Sequence, residues 1–199
     1  HELEADVDDT VNFQVYGNME PQKAATEAVR ETEGQILCQN GEAVEAYYFS
    51  TSAGVTSTDE IWGSDEAAPY LRSVPCKFDE EEPWSSWIVE LPWKMLEDRI
   101  REKGEGTVLR SVTVTRRSES GAATALEAVS DKDSCIIENE YEIRKFLAPV
   151  NCMITEKDGT ETAGGSLLPS AYFELERTQN GNLQVRGKGY GHGVGMSQT

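Results

Sequence analysis

Between Gly189 and Gln198 the chain reads Gly-Tyr-Gly-His-Gly-Val-Gly-Met-Ser-Gln, with four glycines alternating with Tyr190, His192, Val194 and Met196. Ordinary core strands avoid such a run, because each glycine forfeits side-chain packing and loses more backbone entropy on folding than other residues. The pattern suits a place where something large lies against the backbone or where the chain bends sharply. If the segment is a regular strand, its larger residues share one face, and Tyr190 and His192 are neighbours at period two. A ring beside an imidazole over a glycine floor predicts a binding or catalytic groove. The alternative is a flexible glycine-rich tail.

Composition narrows the partners. The chain has 199 residues, 36 acidic against 18 basic, for a net charge of −18. No basic stripe exists to release counterions from a phosphate backbone, so a nucleic-acid partner is excluded. The acidic runs Glu2–Asp9 and Asp79–Glu82 are expected to be solvated surface. A calcium loop at Asp6, Asp8 and Asp9 would lack the glycine and distal glutamate of an EF-hand. The four cysteines, Cys38, Cys76, Cys135 and Cys152, are far apart and the only histidines are His1 and His192, so no local zinc spacing exists. They form either disulfides, in one of three connectivities, or buried free thiols; the second is expected for a chain of this size. No apolar run is long enough to span a bilayer and no signal segment is visible, and the start at His1 leads us to expect an upstream segment.

The element pattern predicts an α+β fold, mainly antiparallel sheet with hairpins and a few short helices. A helix over 21–32 has Pro21 at its start and Gly34 as its stop. Asn40-Gly41 and Asn180-Gly181 mark hairpins, the first followed by a strand over 42–51 and the second joining 171–177 to 183–186. Residues 79–92, with Trp84 and Trp87, read as a linker or exposed lobe. A helix over 93–103 carries Trp93, Leu96 and Ile100 on one stripe. Strands are expected over 108–115 and 125–129, and a helix over 138–147.

The Ser-rich turn after Tyr48 is the second candidate site. Ser50 and Ser52 hydroxyls and nearby amides would hydrogen-bond a polar substrate, or else cap their own turn. Ser50 or Ser52 with His192 and Asp59 supplies the residue types of a nucleophilic triad, but the elbow pattern G-x-S-x-G is absent. Tyr48, Trp62, Tyr70 and Tyr190 offer rings for sugar faces. Glu60 is the carboxyl placed by sequence to act as an acid there, or an exposed loop charge.

Several stretches resemble the stage II sporulation protein D family. They are Ala46 to Thr56, Asp59-Glu60-Ile61-Trp62-Gly63, Pro69 to Val74, Ile143 to Leu147, Leu168 to Phe173, and the glycine-rich end itself. Their order and spacing run through nearly the whole chain, so the resemblance implies one domain over 1–199 with an inserted lobe around 79–165. It also implies a lytic transglycosylase of denuded cell-wall glycan, located outside the cytoplasmic membrane. In such an enzyme one glutamate protonates the glycosidic oxygen and then takes the proton of the muramoyl 6-hydroxyl, leaving a 1,6-anhydro end. The family's glutamate lies in an A-x-E-M-P helix, and no such run occurs here, so the general acid is expected upstream of His1. Relatives also continue beyond Met-Ser-Gln. The substrate-facing residues implied are Tyr48, Ser50, Ser52, Gly54, Thr56, Tyr190, His192 and Gln198. Some relatives hold zinc with a His-Cys pair in a D-T-x-x-Q-x-Y segment; here Asp9 to Tyr16 carries neither ligand, so no metal or cofactor is expected. The partners implied are peptidoglycan glycan strands and other cell-wall hydrolases, since some relatives are amidase enhancers; a glycan-binding or amidase-enhancing module is thus the second functional class. His192 is expected to stand accessible between its glycines, orienting substrate or backbone through one ring nitrogen.

Overall fold

A computed structural model describes residues 20–64 and 66–198. The calcium-loop and zinc-segment candidates, Asp6, Asp8 and Asp9 to Tyr16, lie outside them.

The chain divides into two units, His1–Ala43 and Val44–Thr199. The first contains helix α1 (Lys23–Glu31) and a hairpin of β1 (Cys38–Gln39) and β2 (Glu42–Ala43). Asn40 and Gly41 at the turn have φ of 52° and 88°, the paired positive angles of the tight hairpin that Asn-Gly favours. The strand expected to continue over 42–51 stops at Ala43 and resumes only as β3 (Tyr48–Phe49) in the second unit.

The second unit is built on a five-stranded antiparallel sheet of β4 (Trp87–Leu91), β8 (Met153–Glu156), β9 (Glu161–Ala163), β10 (Phe173–Arg177) and β11 (Leu183–Gly187), in the order β10-β11-β4-β8-β9. β5 (Leu109–Arg117), β6 (Ala123–Ser130) and β7 (Ser134–Glu138) form a second antiparallel sheet. Helices α2 (Trp93–Glu102) and α3 (Glu140–Phe146) complete the core. A short parallel pair joins β3 to β12 (Met196–Ser197). The fold is therefore α+β with mainly antiparallel sheets.

Alternation explains the packing. Trp87, Val89 and Leu91 of β4 and Leu183 and Val185 of β11 bury the same face against Leu96 and Ile100 of α2 and Leu126, Ile143 and Leu147. Trp87 lies opposite Gly187, where a Cβ would stand 2.1 Å from the indole. The segment 79–92 is thus not an exposed lobe: β4 is the middle strand of the larger sheet, and Trp87 is in the core. A smaller cluster of Ile61, Leu71, Ala122, Ala171 and Val194 lies outside this main core. Val194 anchors the glycine-rich segment there. All four cysteines are free thiols, Cys38 exposed and the others partly buried; full burial is not what they show. Among the described residues no helix is long and apolar enough to cross a membrane.

Candidate functional site

The glycine-rich end and the Ser-rich turn meet. β3 and β12 pair in parallel, Tyr48 opposite Met196 and Phe49 opposite Ser197. Thr51 and Tyr190 exchange both backbone hydrogen bonds, at 3.0 and 2.8 Å, and the Ser57 amide donates to the Gly193 carbonyl at 2.6 Å. Residues 190–195 are nevertheless not a regular strand. Gly189, Gly191, Gly193 and Gly195 all have positive φ, between 75° and 107°, so every second residue turns the chain and the expected common face of Tyr190 and His192 does not form. The body lying against Gly189 and Gly195 is the chain's own backbone, while Gly191 faces the Phe49 Cβ and Gly193 the Tyr172 ring. A Cβ on Gly195 would stand 2.1 Å from the Tyr47 carbonyl oxygen, and one on Gly189 would stand 2.8 Å from the Thr51 carbonyl oxygen.

Tyr190 and His192 consequently part company. Tyr190 is 43% exposed, with its ring edge-on to Trp84 at 4.7 Å between centroids. The His192 ring sits partly buried among Trp62, Phe49 and Tyr47, at 5.1, 6.0 and 6.5 Å. Its Nδ1 accepts the Val194 amide at 3.1 Å, so the neutral ring carries its proton on Nε2. Burial pushes His192 below its ordinary pKa and Arg144 adds to that, while Glu140 and the Tyr48 backbone hydrogen bond oppose it. The accessible histidine expected between two glycines is thus a caged one: its neighbours lack side chains, but the rings of Tyr47, Phe49 and Trp62 close over it. Tyr47 donates to the Glu45 carboxylate, which pushes the phenol up to about 12.

A buried network supports the cage. The Trp62 indole donates to Glu140 Oε1 at 3.1 Å, and Glu140 Oε2 pairs with Arg144 at 3.1 Å. Arg144 also donates to the Leu168 and Pro169 carbonyls. Pro169 accepts from the Gly191 amide as well, so α3 and the glycine-rich segment share one acceptor. Asp79 provides a second tie. Its Oδ2 accepts the Ser52 amide at 2.5 Å and the Ser197 hydroxyl, joining the turn to β12. Oδ1 is buried without a hydrogen-bond partner among the described residues. Asp79 is 1% exposed, not the solvated charge its acidic neighbours suggest. Ser57, Ser120 and Tyr172 form a third cluster of mutually bonded hydroxyls.

Of the residues anticipated at the site, Tyr48, Gly54, Tyr190 and Gln198 are exposed. Ser52 and Thr56 are 2% and 5% exposed, and they serve the turn: the Ser52 hydroxyl accepts the Gly54 amide, and the Thr56 hydroxyl accepts that of Val74. Ser50 is partly buried, its hydroxyl 3.2 Å from that of Thr51. No Ser-His-Asp relay forms, since Asp59 accepts the Ala68 amide and His192 Nδ1 is held by Val194. Glu60 stands exposed in a short 3-10 turn at Asp59–Trp62, accepting the Thr58 hydroxyl. Among the described residues no three His, Cys, Asp or Glu side chains group to hold a metal ion.

Residues 72–195 match the model of a domain of unknown function, DUF8618. The chain belongs to this family. The matched DUF8618 region takes in α3, the five-stranded sheet and the glycine-rich segment to Gly195, while the turn at 48–57 that pairs with it precedes the match. Homologues include proteins of two informative names. Stage II sporulation protein D from Bacillus amyloliquefaciens is 30% identical over 96% of this chain and 52% of that protein, and the protein of the same name from Bacillus subtilis is also 30% identical, with the same coverage. A Bacillus subtilis protein named amidase enhancer is 23% identical over 96% of this chain and 31% of its own length. The chain spans about half the length, or less, of these curated relatives.

Sequence pattern pointed to the two segments but missed Asp79, Glu140 and Arg144. The signal available for the last two was their i, i+4 spacing on a predicted helix. Asp79 carried none, because it sits in a run of acids that is otherwise exposed.

Proposed function

We propose that this domain holds a cell-wall glycan strand along the surface where residues 48–56 meet 190–198, as the substrate-holding part of a longer lytic transglycosylase. The observation that carries the proposal is the pairing of β3 with β12 and of Thr51 with Tyr190, which brings the segments bearing the exposed rings of Tyr48 and Tyr190 into one hydrogen-bonded patch. Aromatic rings take the apolar faces of sugars, and the backbone beneath is already tied by hydrogen bonds before a ligand binds. Homologues named stage II sporulation protein D and amidase enhancer support a glycan of the cell wall as the ligand. Neither Glu60, which is exposed, nor Glu140, which is paired with Arg144, is a sheltered proton donor, and buried Asp79 is engaged by Ser52 and Ser197 in tying the turn to β12. We assign the general acid to a part of the longer protein outside the described residues. The amidase-enhancer homologue supports a second role, delivery of an amidase to the same strands.

Co-sedimentation with purified glycan strands stripped of stem peptides tests the first role. The chain is expected in the pellet, with Tyr48→Ala and Tyr190→Ala each binding about tenfold more weakly, and with no 1,6-anhydro ends seen by mass spectrometry. Failure to pellet removes the glycan-holding role; stimulation of an added amidase without pelleting establishes the second role instead.

A further inference from the structure

A cleft of about 240 Å³ opens beside Trp62, its walls including Glu60, Arg116, Thr124 and Glu138. It lies between the 3-10 turn and the ends of β5, β6 and β7, and neither Tyr48 nor Tyr190 lines it. Its volume falls below the roughly 300–1,000 Å³ of pockets for drug-sized ligands, which limits the occupant to about one small ring. The guanidinium of Arg116 is held in place: Nε donates to the Thr124 hydroxyl at 3.3 Å and Nη2 to Glu138 at 3.1 Å. The walls therefore offer a fixed fork of donors, two carboxylates and a hydroxyl together. A ligand that both donates and accepts at adjacent positions matches that set, and ring hydroxyls do so. Two carboxylates against one guanidinium leave one net negative charge, which disfavours an anionic ligand.

We propose that this cleft is a second sugar subsite, selecting a neutral N-acetylated pyranose over a sugar bearing a carboxylate. It rests on the glycan-holding role proposed above and adds a contact at Trp62, whose ring also packs on His192. Filling it changes the surroundings of the Trp62 indole, whose N–H is already fixed on Glu140.

The test follows the Trp62 Nε1–H resonance by NMR while the protein is titrated with N-acetylglucosamine, N-acetylmuramic acid or 1,5-diaminopentane. A saturable shift with the neutral sugar is expected, at least fivefold weaker with the acidic sugar and lost in Arg116→Ala and Glu138→Gln. These side chains are exposed, and an unchanged melting temperature checks that the variants fold. No shift with the neutral sugar, an equal shift in both variants, or a stronger response to the acidic sugar or the diamine overturns the proposal. Glycan strands that pellet with wild type and with Arg116→Ala alike, without a Trp62 shift, remove the subsite and leave the main surface standing; loss of pelleting in wild type removes both.

Discussion

The glycines of the C-terminal segment differ in what they tolerate, and Gly195 is the strictest. It combines a φ of 86° with a Tyr47 carbonyl oxygen 2.1 Å from where a Cβ would be, so a side chain meets both backbone strain and a collision with main chain. Gly54, at φ 98°, has nothing within 4 Å. Gly195→Ala is therefore expected to lose about 3 kcal/mol or more, and Gly54→Ala only about 1 kcal/mol, in urea denaturation. Equal losses would mean that strain alone governs the segment. His192 gives the second prediction at this scale. Its pKa in the fold is depressed by burial, so the unfolded chain takes up the proton first as pH falls. The stability this contributes is complete above the unfolded value near 6.5 and declines as pH drops below it toward the depressed folded value. The stability difference between wild type and His192→Gln should thus shrink on acidification from neutral pH. A difference independent of pH would place the imidazole in solvent.

At the scale of elements, α3 is fixed by one guanidinium. Asn139 caps its N-terminus by accepting the Glu142 amide, and Arg144 ties its body to the Leu168 and Pro169 carbonyls while neutralising buried Glu140. Removing one partner of such a pair strands a charge and typically costs about 3–5 kcal/mol, whereas replacing both is much milder. Arg144→Met should destabilise by that amount, and Glu140→Gln with Arg144→Met should recover a good part of it, as read from a double-mutant cycle in denaturant. Additive losses would show that the pair is not coupled. The same comparison reports on His192, because Trp62 links its cage to Glu140.

Across the whole molecule the charge of −18 acts against compactness through self-repulsion. Raising salt from about 10 mM to about 300 mM shortens the screening length from roughly 30 Å to below 8 Å, and the melting temperature should rise by a few degrees. A fall instead would mean that ion pairs such as that of Arg116 with Glu138 outweigh the repulsion. Period and punctuation sufficed to specify α2, β5, β6, α3 and the two Asn-Gly hairpins, since these features depend on residues within a few positions of one another. Local pattern also marked the glycine-rich segment and the Ser-rich turn as unusual. Their pairing, the coiling of 189–195 against residues 47–53, and the inward turn of Asp79 depend on partners over 100 positions away or on a single buried contact. No local periodicity encodes such contacts. Asp79 looks like its exposed acidic neighbours, and His192 looks accessible between glycines. Only packing, which brings two hydrogen-bond donors to one and three aromatic rings to the other, decides where those side chains go.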